Sequence, residues 1–297
     1  MKAYITILRP GNCLMSSIAS LIGSFIILKS LSPVSVIAAI TAFLITGTGN
    51  VINDYVDIEA DKINRPKRAL PSAKIKPATA LAYSIILFLL GISLSAFTTI
   101  PALLIAIFNS FLLIVYATKL KNKMYIGNAV VSYLVGSTIL FGSTAVLVNF
   151  EIPALLLPVL MMSISALSNF SREIVKSLED IEGDKLAFIK RVVRSAKQKI
   201  FEKFGIENGR VKTRFSESLA KKAAALTLML VIIISPLPYL LRLLGPGYLI
   251  LLVPTNLAFL CSAALLTSRK RKYSKISKLI KIGMLLGLLA YIAGILW

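Results

Sequence analysis

Nine stretches of this chain are apolar and long enough to cross a bilayer, and that leaves its backbone few options. Inside hydrocarbon every N–H and C=O needs a partner within the protein, so only helices and closed barrels span. A spanning helix needs about 17 to 25 residues and a barrel strand about half that. The apolar runs lie at 12–29, 33–53, 77–97, 100–118, 125–147, 151–171, 223–243, 246–266 and 279–296. All are of helical length. The expected fold is all-α, a multi-span membrane protein with nine transmembrane helices in a single domain over 1–297. The first run is long, lacks a small-residue cleavage site and is followed by eight more, so it reads as a span and not as a secretory signal.

Charge gives the orientation. With nine spans, the N-terminus and the loops 54–76, 119–124, 172–222 and 267–281 share one side, and that side holds 32 of the 34 Lys and Arg. Only Lys29 and Arg242 fall on the other. Basic loops stay cytoplasmic, so this side is read as the cytoplasmic face of the cell membrane. The net charge of +21 then follows from topology and from anionic lipid or phosphate at the surface, and calls for no nucleic acid. The chain has no histidine, which removes imidazole as base or ligand. Cys13 and Cys261 both lie in spans and read as small buried hydrophobes.

Against this basic background, nine of the thirteen acidic residues fall in two clusters. Asp54, Asp57, Glu59 and Asp61 follow the second run; Glu173, Glu179, Asp180, Glu182 and Asp184 follow the sixth. Carboxylates near lipid are costly and point to function. At about 100° per residue, Asp57 and Asp61 fall within roughly 60° of Asp54 on a helix, and Asn50 joins the same stripe. Glu173, Lys176, Asp180 and Asp184 form a second stripe below Asn169. The sets Asn50-Asp54-Asp57-Asp61 and Asn169-Glu173-Lys176-Asp180 share the spacing 4, 3, 4, a short internal repeat of the kind that frames sites between two halves of a membrane protein.

A stripe of carboxylates repels itself, and cations relieve that. Mg2+ takes one or two carboxylates together with substrate phosphates. Two facing stripes therefore suggest Mg2+ ions gripping a diphosphate. Lys62, Arg65, Lys67 and Arg68 follow the first cluster, Arg172 and Lys176 flank the second, and Lys119 and Lys121 follow the fourth span. Such groups can neutralise a leaving diphosphate. A structural charge network, a transporter and a non-catalytic cation-binding scaffold are the competing readings. Ile189, Val192, Val193, Ala196, Ile200 and Phe204 alternate with basic residues at helical spacing, which suggests an amphipathic helix on the membrane face, a connector or a lid within 185–222.

Several strings resemble one family. Asn53-Asp54-x-x-Asp57-x-x-x-Asp61-x-x-Asn64-x-x-x-Arg68-x-x-Pro71-Ser72 is similar to the first aspartate-rich motif of the UbiA superfamily of intramembrane prenyltransferases. Glu173, Asp180 and Asp184 match the spacing of its second motif, Tyr116-x-x-Lys119-x-Lys121 its loop after the fourth helix, and Arg9-Pro10-x-Asn12 its N-terminal signature. The resemblance covers nearly the whole chain. It implies a helical bundle around a cavity open to lipid, with Mg2+-dependent transfer of an isoprenoid chain from a polyprenyl diphosphate.

The string Arg172-Glu173-Ile174-x-Lys176-x-x-Glu179-Asp180-x-x-Gly183-Asp184 resembles the archaeal ether-lipid branch. That branch implies transfer from geranylgeranyl diphosphate to a prenylated glycerol phosphate, with an aromatic quinone precursor as the alternative acceptor. By the same resemblance Asn53, Asp54, Asp57, Asp61, Glu173, Asp180 and Asp184 hold the metal. Arg68, Lys119, Lys121, Lys176 and Arg172 face phosphate, and Asn12, Asn50 and Tyr116 help position substrate. Two departures stand out. The usual Arg-Pro-x-Pro-Ser-Gly ending is Arg68-Ala69-Leu70-Pro71-Ser72-Ala73, and the Gly-Val-Lys-Thr-like string comes late, as Gly209-Arg210-Val211-Lys212-Thr213.

Overall fold

The computed structural model describes residues 2–121, 123–148, 152–195, 217–268 and 272–297, and of residues 60, 63, 64 and 181–195 the backbone alone. Among the described residues all regular structure is helical, and nine helices are long and apolar enough to span a membrane. A short α1 (Lys2–Ile7) leads into α2 (Pro10–Leu28) and α3 (Pro33–Val56). The small α4 (Ile58–Asn64) precedes α5 (Pro77–Ser95) and α6 (Ile100–Val115), which ends in a π-helical turn, Tyr116–Leu120. Then follow α7 (Met124–Val146), α8 (Leu156–Ser195), α9 (Glu217–Ile234), α10 (Leu237–Leu240), α11 (Gly247–Thr267) and α12 (Tyr273–Leu296).

Local sequence explains where these begin and stop. Proline opens α2, α3, α5 and α6 in the first turn, where its missing N–H costs nothing. Ser32 and Ser35 cap α3 reciprocally. The expected span 223–243 is cut at Ser235-Pro236, where Pro236 and Pro238 cannot continue the backbone ladder. The sixth span does not end at 171 as expected. Helix α8 runs unbroken for 40 residues and carries the second acidic cluster as helix. Of the segment 185–222, residues 185–195 continue α8, 217–222 begin α9, and 196–216 lie outside the described residues, as do the later members of the expected amphipathic helix.

The molecule is apolar on its outside. Leu89, Leu104, Phe111, Ile233 and Ile250 are all exposed, while Ser20, Ser24, Ser137 and Ser143 are fully buried. That arrangement suits lipid, where close packing of small residues replaces the hydrophobic drive between helices. Helices α2 and α7 show it best. A Cβ on Gly142 would lie 1.9 Å from Ser20 O, and one on Gly23 would lie 2.1 Å from Ile139 O. The contact is sealed in both directions, by Ser24 Oγ donating to Gly142 O and Ser143 Oγ to Gly23 O, each at 2.8 Å.

Helices α2, α3, α5, α6 and α7 form one group and α8, α9, α11 and α12 another; α7 packs on α8, and α2 touches α12. Between them lies a cavity of about 350 Å³, lined by α2, α3, α6, α7, α8, α11 and α12.

Candidate active site

The two acidic clusters begin at this cavity: Asn53, beside Asp54, lines it from α3, and Glu173 lines it from α8. The end of α3 supplies Asn50, Asn53 and Asp54. Asn50 is buried and donates from Nδ2 to Leu8 O at 2.8 Å, tying α3 to the segment before α2. Helix α3 then stops, and Asp57 is a one-residue break (φ −88°, ψ 5°) before α4. The expected single stripe of three carboxylates is therefore bent. Asp54 and Asp61 remain together, both buried, and Arg68 joins them: its Nη1 donates to Asp54 Oδ1 at 3.1 Å and to Asp61 Oδ2 at 2.6 Å. Asp57 turns instead to Lys121, which follows the π-helical turn and donates to Asp57 Oδ2.

A second guanidinium reaches Asp54 from the N-terminal side, where Arg9 Nη2 donates to Oδ1. Arg9 has φ 54° although Pro10 follows it. A residue before proline prefers extended backbone, and a left-handed one costs on the order of 1–3 kcal/mol. That strain sits where the chain enters the site. The sequence marked Arg9 as part of a string and assigned it no role; its partner is 45 residues away.

The facing wall is α8. Arg172 Nη1 donates to Glu173 Oε1 at 2.8 Å, and Lys176 Nζ lies 3.5 Å from Glu173 Oε2. One turn above, Asn169 is buried and donates to Ser132 Oγ on α7 at 3.4 Å. Of the two copies of the 4, 3, 4 repeat, Asn50 of the first and Asn169, Glu173 and Lys176 of the second line the cavity, with Asn53 beside Asp54. The copies differ in backbone, since the first kinks at its third member and the second does not.

The remaining expected residues divide. Asn12, Tyr116 and Arg172 line the cavity. Lys119 is exposed and outside the lining; the residue two positions on, Lys121, is the one the π-helical turn carries to Asp57. Asp180 is exposed, about 10 Å further along α8 than Glu173 at 1.5 Å per residue. The backbone of Asp184 continues α8, and its side chain lies outside the described residues. Lys281 of α12 also lines the cavity, although the charge pattern groups it with the loop cations.

Five cations are thereby paired with four carboxylates at the mouth: Arg9, Arg68, Lys121, Arg172 and Lys176 with Asp54, Asp57, Asp61 and Glu173. Two buried polar atoms there have no partner, Asn53 Oδ1 and Arg172 Nε. A buried acceptor and donor without partners normally cost stability, and their presence on a cavity wall marks a place for ligand. Among the described residues no three acidic or thiol side chains cluster tightly enough to hold a metal by themselves, so an ion here would need ligands from elsewhere.

Deeper in, the lining turns apolar, with Ala42, Ile45, Leu134, Ile139 and Ile164. At the far end Tyr248 and Tyr291 stack with centroids 5.7 Å apart and planes 8° apart, and Tyr248 Oη donates to Ser235 O at 2.7 Å. From Lys281 to Tyr291, α12 rises about 15 Å along the cavity. The arrangement suits an amphiphile with a polyanionic head and a long apolar tail.

Comparison with known proteins agrees. Residues 16–289 match the model of the UbiA prenyltransferase family. A digeranylgeranylglyceryl phosphate synthase from Methanococcoides burtonii is 39% identical over 99% of this chain and 100% of that protein. One from Methanopyrus kandleri is 34% identical over the full length of both. Among solved structures, one described as concerning digeranylgeranylglyceryl phosphate synthase in membranes superposes with TM-score 0.75 at 38% identity, covering 99% of this chain and 98% of that one. A UbiA homolog from Archaeoglobus fulgidus bound to GPP and Mg2+ shares the fold, with TM-score 0.67 at 17% identity over 99% of this chain and 100% of that one.

Proposed function

The chain belongs to the UbiA prenyltransferase family and is a membrane-embedded prenyltransferase, and we propose that it moves a geranylgeranyl group from geranylgeranyl diphosphate to the glycerol hydroxyl of geranylgeranylglyceryl phosphate, releasing diphosphate. The product carries the second ether bond of an archaeal membrane lipid. The observation that carries this reading is the continuity of a net-positive, carboxylate-bearing mouth with an apolar cavity whose lining includes two stacked tyrosines. The relatives named digeranylgeranylglyceryl phosphate synthases support the choice of acceptor over an aromatic acid.

The residues at the mouth suit a hard divalent cation. All their donors are oxygen, and the unpartnered Asn53 Oδ1 is an acceptor with nothing to accept. Asn53, Asp54, Asp57 and Asp61 would hold Mg2+ on one wall, and Glu173, Asp180 and Asp184 on the other. When bound, Mg2+ supplies charge neutralisation on the diphosphate oxygens. The solved homolog with GPP and Mg2+ is consistent with this assignment.

The chain's own residues do the rest. Arg68 and Lys121 neutralise Asp54, Asp61 and Asp57, and with a metal held on those carboxylates the same donors would be available to phosphate. The allylic C1–O bond breaks and its electron pair leaves with diphosphate. The glycerol hydroxyl oxygen attacks the resulting cation at C1, and its proton passes to the departing diphosphate or to a carboxylate at the mouth. The apolar walls hold the tail and exclude water from the cation. Lys176 steadies the phosphates and Asn12 orients the acceptor at the head of α2. The charge asymmetry of the loops supports a mouth on the cytoplasmic side.

The test is label transfer by the purified protein in lipid, from labelled geranylgeranyl diphosphate to geranylgeranylglyceryl phosphate, with Mg2+ and with EDTA. Label in a doubly prenylated glycerol phosphate that stops with EDTA supports the reading. Transfer that continues without divalent metal removes the metal assignment, and no glycerol-linked product removes the acceptor.

A further inference from the structure

The mouth carries one more cation than the reaction's donor half needs. Lys281 lies eight residues into α12, about 12 Å along the helix from Tyr273, inside an apolar span. A lysine at such a place is costly and usually faces a cavity or a partner. The same helix carries Lys275 and Lys278, which are exposed as Lys281 is but lie outside the cavity lining. Lys281 alone of the three lines the cavity, on the wall shared with Arg172 and Lys176. Its height and rotation are held by packing: a Cβ on Gly283 would lie 2.6 Å from Phe259 Cε1, so α12 sits tight against α11 just past it.

The pairing pattern separates the two walls. On the α3–α4 wall three carboxylates face Arg9, Arg68 and Lys121. On the α8–α12 wall Glu173, the carboxylate of α8 that lines the cavity, is shared by Arg172 and Lys176, with Asp180 about 10 Å further along the helix, and among the described residues Lys281 is ion-paired with none. The first wall is rich in oxygen ligands and suits a metal-bound diphosphate. On the second, the cavity lining carries Arg172, Lys176 and Lys281 against Glu173, a surplus of cation that leaves room for a second anion beside the metal-bound diphosphate. A transfer between two phosphate-bearing lipids has two such anions.

We propose that Lys281, with Lys176, binds the phosphate monoester of the acceptor and so selects a phosphate-bearing acceptor over a neutral or aromatic one. The assignment rests on the transfer reaction proposed above. Lysine offers a compact charge that suits a phosphate approached from one side.

The experiment is steady-state kinetics of the full chain in lipid nanodiscs, wild type against Lys281→Gln, Lys281→Arg and Lys278→Gln, varying each substrate in turn. Melting temperatures establish that the variants fold. Lys281→Gln is expected to raise the acceptor KM about tenfold to a hundredfold, the loss of one charge-assisted contact. Its kcat and its KM for geranylgeranyl diphosphate should stay within twofold of wild type. Lys281→Arg should recover much of the acceptor KM, and Lys278→Gln should match wild type. An equal rise in donor KM, a fall in kcat alone, or the same effect from Lys278→Gln would overturn the assignment. A wild-type protein that makes no glycerol-linked product fails in a different arm, and there the acceptor reading itself is lost.

Discussion

Arg68 is bound to Asp54 across the break between α3 and α4, with Nη1 3.1 Å from Asp54 Oδ1, and the same nitrogen reaches Asp61 at 2.6 Å. The guanidinium takes the place of a second charge between two buried carboxylates. This makes the site stable before substrate arrives and leaves its cations close to where diphosphate charge would develop.

Removing that bridge should expose the repulsion it hides. Arg68→Ala leaves Asp54 with Arg9 alone and Asp61 without its ion pair. Breaking a buried pair costs about 3 kcal/mol or more, and the partial exposure of Arg68 puts this one at the low end. The expected result is a lower melting temperature in EDTA, with Mg2+ restoring a larger share than it does in wild type. A melt that does not respond to metal in either protein would speak against carboxylate ligation.

Asp57→Ala and Asp180→Ala test the two acidic sets separately. Each should lower turnover by about a hundredfold or more, as expected for lost stabilisation of developing charge. Both proteins should keep wild-type helicity by circular dichroism. Near-normal turnover in either variant would remove that carboxylate from the proposed metal site.

Tyr291→Ala should lengthen the cavity. Its ring stacks on Tyr248 at the end far from the charges, and truncation opens space there. Relative kcat/KM for a C25 donor over the C20 donor should rise. An unchanged ratio would place the limit on chain length elsewhere.

Gly142→Ala should separate α2 from α7, because the added methyl has a carbonyl oxygen 1.9 Å away. Overpacking costs about 1–3 kcal/mol, and the Ser24 bond to Gly142 O is strained with it. A Cβ on Gly11 meets nothing within 4 Å, so Gly11→Ala should stay within about 0.5 kcal/mol. Thermal melts in one detergent compare the two.

Much of the fold can be read from the chain because lipid imposes a simple rule. Nine apolar runs and the prolines ahead of several of them mark most span starts to within a few residues. The extent of α8 is harder to see, since charge after residue 171 suggests a loop, yet the apolar and acidic residues of 172–195 keep helical spacing with no proline among them. The acids and asparagines of the site stand out because they are expensive in a membrane. Their partners do not. Arg9 finds Asp54, Lys121 finds Asp57, and Lys281 enters the cavity only through how helices rotate and pack, which a linear pattern of charge does not record. For the same reason Lys119 and Lys121 look equivalent in sequence and separate in space.

The most direct measurement of the central claim is a competition. The purified protein in lipid, with Mg2+ and geranylgeranyl diphosphate, receives equal amounts of geranylgeranylglyceryl phosphate and 4-hydroxybenzoate, and the products are resolved by mass spectrometry. A single major product with two geranylgeranyl ethers on glycerol phosphate is the predicted result. A prenylated aromatic acid as the major product would contradict it.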